Sequence, residues 1–293
     1  MNVSIIIRTY NEQGHLGDVL AAIAAQESNG LRYETIVVDS GSTDNTLQIA
    51  TGHSCRIVHI GKDEFTFGRS LNRGCEVASG EHLVFVSGHC VPACRTWLKK
   101  LVEPLRDEKL TYVYGRQIGN GQSRYSERQL FKKYFPETSA VPQEGFFCNN
   151  ANAAISRRVW KQYRFDEELT GLEDMELAKR LVTAGEKVGY IAEAPVYHLH
   201  DESWVNVRNR YEREALALQR VMPEVHVSFL DFLRYFTSAV LLDSSTALQE
   251  RIFGRHFPEI LMFRLMQFWG VYRGNHQHRR LSRQMKEKYF YPK

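Results

Sequence analysis

The sequence has little of what staples or anchors a chain. Its five cysteines, Cys55, Cys75, Cys90, Cys94 and Cys148, include no CxxC pair. An odd count without a regular framework excludes a disulfide-built scaffold and favours a reducing cytoplasm. No run of about 18 uninterrupted apolar residues occurs, so no membrane-crossing helix is expected. The N-terminus runs straight into a strand-like segment with no charged leader or cleavage site, so no export signal is expected either. No internal repeat or low-complexity tract is visible. Charge of one sign is scarce as well. A formal net charge of +4 over 293 residues suits an anionic ligand or an acidic membrane surface, and does not point to nucleic acid.

What is present is an ordinary globular composition, 43% hydrophobic and 25% charged, enough for a real core. Val3 to Ile7 (VSIII) reads as a buried parallel strand. Leu16, Val19, Leu20 and Ile23 recur at helical spacing, and Tyr33 to Val38 is the next strand. A helix over Thr46 to Thr51, a strand over Arg56 to Ile60, a helix from Gly68 to Ala78 and a strand over Leu83 to Val86 follow. This alternation predicts a doubly wound α/β sheet. Ligands of such sheets bind at the carboxyl ends of the strands, where the polar loops here fall.

Those loops carry suitable chemistry. Asp39 at a strand end can accept hydrogen bonds from a base or ribose, with Thr9, Asn11 and Glu12 on the opposite wall. The competing reading is that Asp39 and Asp44 only cap turns and helices. Ser42 belongs to the same loop, and Gly88 permits close backbone approach. Arg69 and Asn72 open a helix, where a basic residue suits a diphosphate, although a solvated surface arginine is the plainer alternative. Further on, Asn149, Asn150 and Asn152 lead to Glu173-Asp174, two carboxylates at the start of an amphipathic helix that ends at Gly185. A strand from Val188 to Ile191 precedes His198 and His200, whose alternate spacing on a strand puts both on one face. Residues 116–144 show mixed spacing, and Tyr125 to Phe135 reads as a helix or a loop.

The motifs VSIIIRTYNE, IVVDSGSTDNT, FGRSLNRGCEVASGEHLVFVSG, NNANAAISRRVW, GLEDMELAKR and VYHLHDES occur in this order over roughly residues 1–205. In this the chain resembles the family 2 glycosyltransferases, and most of all their bacterial rhamnosyltransferase-like branch. The resemblance implies a GT-A fold and inverting transfer of a sugar from a nucleotide-sugar donor to a hydroxyl. By the match, Asp174 is the general base and Glu173 its supporting or acceptor-binding neighbour. Asn149, Asn150 and Asn152 are candidates to bind acceptor hydroxyls, and Trp160 to stack on a sugar, unless it is a core aromatic.

One departure stands out. The family places an acidic metal-binding motif after the fourth strand, and this chain has Ser87-Gly88-His89-Cys90 there. Three readings stay open. His89 binds a transition metal, with His198 or His200; it contacts the phosphates directly; or the donor is a nucleoside monophosphate sugar. Imidazole suits Mn²⁺ or Zn²⁺ better than Mg²⁺.

After His200 the character changes. Val205 to Val221 is a charged helix, and Phe229 to Leu242 and Ile252 to Tyr272 are apolar, aromatic helices with a break expected at Pro258. Arg273, Arg279, Arg280, Arg283, Lys286, Lys288 and Lys293 make a basic tail. The expected organisation is a GT-A domain over 1–205 and a helical extension over 206–293. The extension either packs internally or touches a membrane surface. The function expected is sugar transfer to a saccharide or lipid-linked acceptor in bacterial surface polysaccharide synthesis, in the cytoplasm at the inner face of the membrane, by a monomer or a homo-oligomer. Two alternatives remain: a non-catalytic GT-A-like domain that binds a sugar nucleotide or glycan, and a nucleotidyltransferase.

Overall fold

The computed structural model describes residues 2–27, 30–106, 110–276 and 289–291. The chain forms two compact units. The first comprises Met1–Asn120, Phe131–Glu168 and Glu173–Leu199; the second comprises Gly121–Leu130, Leu169–Leu172 and His200–Lys293.

The first unit is built on one eight-stranded sheet. Strands β1 (Asn2–Thr9), β2 (Arg32–Asp39), β3 (Arg56–His59) and β4 (His82–Ser87) form its parallel half in the order β3-β2-β1-β4. Helices α1 (Leu16–Ala24), α2 (Thr46–Gly52) and α3 (Phe67–Val77) connect them. The apolar run of β1 has a direct cause. Ile5 and Ile7 pack with Leu16, Val19, Leu20 and Ile23 of α1, while Ile6 faces the other way, towards α3. A strand covered on both faces has no solvent side, so it needs no alternating polar residue.

Beyond β4 the sheet is mixed. Strands β5 (Cys90–Pro92), β6 (Tyr112–Ile118), β7 (Asn152–Ser156) and β8 (Val188–His198) continue it in the order β7-β6-β8-β5. β7 is antiparallel to both β4 and β6, β6 is parallel to β8, and β5 is antiparallel to β8. The doubly wound pattern thus holds for the first half and gives way where β7 reverses direction. Helices α4 (Trp97–Arg106), α6 (Arg157–Tyr163) and α7 (Glu173–Thr183) belong to this part of the chain, while of α5 (Tyr125–Tyr134) the stretch up to Leu130 falls in the second unit. α7 stops as expected at Gly185, whose φ of +84° suits glycine.

Asn152 fastens this second half. Its Oδ1 accepts the Trp97 indole N–H at 2.9 Å, and its Nδ2 donates to the carbonyls of Arg116 (3.1 Å) and Ala194 (2.8 Å). One fully buried amide therefore ties β7 to α4, β6 and β8.

In the second unit, α8 (Trp204–Val221), α9 (Phe229–Gln249) and α10 (Phe253–Asn275) pack together. Ser203 caps α8, and Ser228 with Asp231 forms a reciprocal capping box on α9. The break expected at Pro258 does not occur, because α10 runs through it. Proline there removes one helical hydrogen bond. The buried inner face of α10, with Ile260, Phe263 and Gly270, compensates. At Gly270 a Cβ would lie only 2.4 Å from the Arg208 carbonyl, so glycine is what lets α10 lie against α8. A buried bidentate pair, Arg264 Nε and Nη2 to the two oxygens of Asp243 at 2.8 and 2.9 Å, joins α10 to α9. The basic residues Arg279, Arg280, Arg283, Lys286, Lys288 and Lys293 lie outside the described residues.

Asn152→Ala leaves one indole N–H and two carbonyls buried without partners, each costing about 1–3 kcal/mol. Urea denaturation is expected to show a loss of at least about 3 kcal/mol. A midpoint unchanged from the parent contradicts the fastening role.

Candidate active site

The loops after β1 and β2 are bound into one object. Asn11 N–H donates to Ser42 Oγ (2.9 Å) and Asn11 Oδ1 accepts from Thr43 N–H (2.8 Å). Gln13 N–H donates to Asp44, and Asn45 N–H to Gln13 Oε1. Glu12 N–H donates to Thr46 Oγ1 at 2.8 Å. Asn11 has φ +54°, a left-handed conformation that asparagine tolerates.

Asp39 is spent inside this object. Its Oδ2 accepts the N–H groups of Gly41 and Ser42 at 2.9 and 3.0 Å, and its Oδ1 accepts the Ser42 and Thr9 hydroxyls. It is buried. Four protein donors, three of them from residues 41 and 42, thus meet the carboxylate, and Asp39 shapes the loop in which a base or ribose was expected. Asp44 likewise caps α2 through Thr46 and holds Gln13.

At the end of β4, Gly88 N–H donates to the Arg8 carbonyl at 3.2 Å. A Cβ on Gly88 would come within 2.9 Å of the Glu12 side chain and 3.2 Å of that carbonyl, so the close approach glycine permits is to the β1 loop. His89 Nδ1 lies 2.7 Å from Glu12 Oε1, and its ring stacks on that of His198 with centroids 5.1 Å apart. His198 Nδ1 lies 2.6 Å from Gln117 Oε1. The tautomer of His198 follows from the backbone. Ala151 N–H donates to Asn149 Oδ1, Gln117 Nε2 donates to the same oxygen, and Gln117 is left presenting its own oxygen to His198. His198 thus carries its proton on Nδ1, and so does His89 against the Glu12 carboxylate. A nitrogen from each ring and Cys90 Sγ lie within 4.8 Å of one another.

The carboxylate pair opens α7. Asp174 accepts from Asn150 N–H and Met175 N–H, both at 2.8 Å. It is only 7% exposed, and burial, then the charge of Glu173 beside it, pushes its carboxyl up to about 7. Glu173 Oε1 lies 3.4 Å from Arg8 Nη1 and 3.5 Å from Asn150 Nδ2, and Asn150 Oδ1 accepts the Tyr112 hydroxyl at 2.5 Å. Arg8 also lies over the Phe67 ring, 4.8 Å from its centroid.

Several expected site residues are placed elsewhere. Asn72 is buried and clamps residues 160–167: its Oδ1 accepts from the Trp160 indole and Phe165 N–H, and its Nδ2 donates to the Phe165 carbonyl and Glu167. Trp160 is therefore a core ring at 4% exposure and offers no face to a sugar. Arg69 pairs with Glu167 (2.9 Å) and the Glu64 carbonyl (2.7 Å), and its cation is occupied there. Asn152 is consumed by its three core bonds. β8 ends at His198, so His198 and His200 do not alternate along one strand. His200 belongs to the second unit, where its Nδ1 lies 2.7 Å from Glu127. Burial alone would raise Glu127, but His200 and Arg210 hold it down at about 2.

Two contributors were not anticipated from the sequence, Arg8 and Gln117. A lone arginine inside the otherwise apolar β1 run is a signal for the first. Gln117 gives none, since its role depends on a partner 81 residues away.

The fold is that of the GT-A glycosyltransferases. Mannosyltransferase PcManGT from Pyrobaculum calidifontis, solved in complex with GDP-Man and Mn²⁺, superposes with a TM-score of 0.61 over 92% of this chain and 85% of that one, at 16% identity. Residues 4–164, more than half of the chain, match the family described as Glycosyl transferase family 2, and the chain belongs to that family. It is a glycosyltransferase. The O-antigen chain rhamnosyltransferase RfbN of Salmonella typhimurium is 28% identical over 214 residues, 69% of this chain and 67% of RfbN. WbaN of Salmonella anatum, also an O-antigen chain rhamnosyltransferase, is 27% identical over 190 residues, 61% of this chain and 60% of WbaN.

If Asp174 takes a proton during turnover, kcat is expected to rise with pH through about 7, because below that value the carboxyl is protonated. Asp174→Asn should lower kcat about 100- to 10,000-fold and abolish this limb. Folding raises this carboxyl above its unfolded value, so its contribution to stability is present at low pH and lost as pH rises through about 7. The Asn variant should accordingly melt no lower than the parent at alkaline pH. A pH profile identical in the two proteins removes Asp174 from the chemistry.

Proposed function

We propose that the chain transfers a sugar, with inversion, from a nucleoside-diphosphate donor to a hydroxyl of a saccharide or lipid-linked acceptor in bacterial surface polysaccharide synthesis. The work takes place in the cytoplasm at the inner face of the membrane. One observation carries this reading. Arg8 gives its carbonyl to Gly88 N–H and its guanidinium to Glu173, so a single residue joins the β4 end bearing His89 to the carboxylate pair. In this reading Asp174 takes the acceptor proton as the acceptor oxygen bonds to the anomeric carbon. The bond from that carbon to the diphosphate oxygen breaks with its electron pair, and the nucleoside diphosphate leaves. Arg8 keeps Glu173 oriented beside the base, and Asn150 holds both carboxylates through its N–H and its amide.

The donor set at the β4 end fits a divalent cation of borderline hardness. Two imidazoles, each with Nδ1 tied to an oxygen acceptor, would in their neutral form offer Nε2 to an ion, as metal-ligating histidines do. His89 and His198 would hold the ion, and Mn²⁺ suits them better than Mg²⁺. A cation there would neutralise charge gathering on the leaving diphosphate. Both O-antigen relatives are rhamnosyltransferases, so a nucleotide-linked deoxyhexose is the first donor to try.

The test is a thermal-shift screen of nucleoside diphosphates and nucleotide sugars with and without Mn²⁺ and Mg²⁺. A ligand at about 100 times its Kd stabilises the fold by about 2.7 kcal/mol, so the correct donor should raise Tm visibly, and more so with Mn²⁺. His198→Ala should lose the Mn²⁺ increment while keeping a cooperative melt. No response to any nucleotide sugar sinks the donor assignment, and full turnover after exhaustive chelation sinks the cation.

A further inference from the structure

Strand β4 leads to His89 beyond its end, and at its start lies a cavity of about 760 Å³. The cavity is lined by the start of β4, the end of α4, the residues just before β6 and the junction of β7 with α6. Backbone bonds close this frame. Arg157 N–H donates to the Glu81 carbonyl at 2.9 Å, and Ser156 N–H to the Thr111 carbonyl at 3.2 Å. The walls are thus preformed, and those two backbone donors are spent in holding them.

The side chains are what is left for a ligand. Arg106, Arg157, Arg158 and Lys161 all line the cavity, and Glu81 is the only acid among its described lining residues. Elsewhere in the first unit Arg69 pairs with Glu167, Arg164 with Glu76 and Arg180 with Glu176. Among the described residues, no carboxylate pairs with any of the four cavity cations. Two nitrogens of the lining residues, Arg157 Nε and His82 Nδ1, are buried without a hydrogen-bond partner. Unmatched atoms of this kind call for an explanation, and a bound ligand is one.

We propose that this cavity binds a soluble compound carrying a diphosphate group. Arginine forks and a lysine point charge are the side chains that recognise phosphate. The volume falls within the range of small-molecule sites. One phosphate brings at most about two negative charges, so a linked pair matches four cations better. Leu105 and Leu110 in the wall are both buried, so an isoprenoid chain would find no apolar surface here. That favours a soluble ligand over a lipid-linked one. Asp107, Glu108 and Lys109 follow Arg106 in the sequence, outside the described residues, and counting all three still leaves the cations in excess. An adjoining cavity of about 440 Å³ shares Glu81, His82 and Arg106 and adds Lys99 and Glu103, whose charges cancel. The anion therefore belongs on the α6 side, beside Arg157, Arg158 and Lys161.

Calorimetric titration of the full chain with inorganic pyrophosphate, free of divalent cations, reads binding without reference to turnover. Its outcome is therefore separate from that of the transfer reaction. The parent should bind pyrophosphate about tenfold or more tighter than inorganic phosphate, and less tightly as salt rises. Arg158→Gln with Lys161→Gln, both at exposed positions, should weaken binding on the order of 30-fold. His198→Ala should leave it unchanged, which separates this cavity from the imidazole pair. Circular dichroism and urea midpoints matching the parent show that the variants are folded. No binding by the parent overturns the proposal, as does equal binding by the α6 double variant. Loss of binding in His198→Ala overturns it too, by assigning the anion to the active site. Equal affinity for phosphate and pyrophosphate overturns the diphosphate assignment.

Discussion

The backbone N–H of Ala151 sets the orientation of three side chains in turn. It fixes the oxygen of Asn149, which fixes the nitrogen of Gln117, which leaves the oxygen of Gln117 for His198. The chain of bonds joins the start of β7 to β6 and to the end of β8. Its consequence is chemical. A buried imidazole with its Nδ1 proton committed cannot present the other tautomer, so the nucleophilic nitrogen of His198 is decided by the fold. His89 reaches the same state by a different route, through the carboxylate of Glu12 on the β1 loop. His89 at the β4 end and His198 at the β8 end thus stand as two stacked imidazoles.

Arg8 plays the complementary part at the other side of the site. A guanidinium at the end of a buried strand has a desolvation cost that needs a partner. Glu173 is that partner, and Phe67 adds an aromatic face. Together they place a charged group of the sheet edge against the first turn of α7, where Asp174 sits beside a second carboxylate and away from water. The elevated proton affinity of Asp174 is thus a product of the sheet–helix junction as a whole.

Much of the first half of the fold is legible in the sequence because its signals are local. The VSIII run, the helical spacing of Leu16 to Ile23 and the glycine after α7 each report a structure formed by neighbours in the chain. Glu173-Asp174 is legible for the same reason, since a paired carboxylate at a helix start is a local pattern. What escapes is direction. Nothing local in Asp39 announces that its oxygens take the two N–H groups that follow it. Asn72 and Trp160 look like site residues singly, yet each satisfies the other in the interior. His198 and His200 share a face only if the strand continues, and β8 ends between them. Pro258 reads as a helix break because the packing of Ile260, Phe263 and Gly270 against distant helices is invisible locally. The reversal of β7 is hidden for the same cause, as nothing in its five residues distinguishes antiparallel from parallel pairing.

The reciprocal bonds between the β1 and β2 loops carry a lesson for anyone recombining this enzyme with a relative. Asn11 and Gln13 each give one backbone N–H to the partner loop and accept backbone N–H from it. Neither loop has a shape of its own that is separable from the other. Grafting one of them alone would strand several donors and acceptors of its counterpart. The pair is a single exchangeable cassette, although about thirty residues of chain lie between its halves.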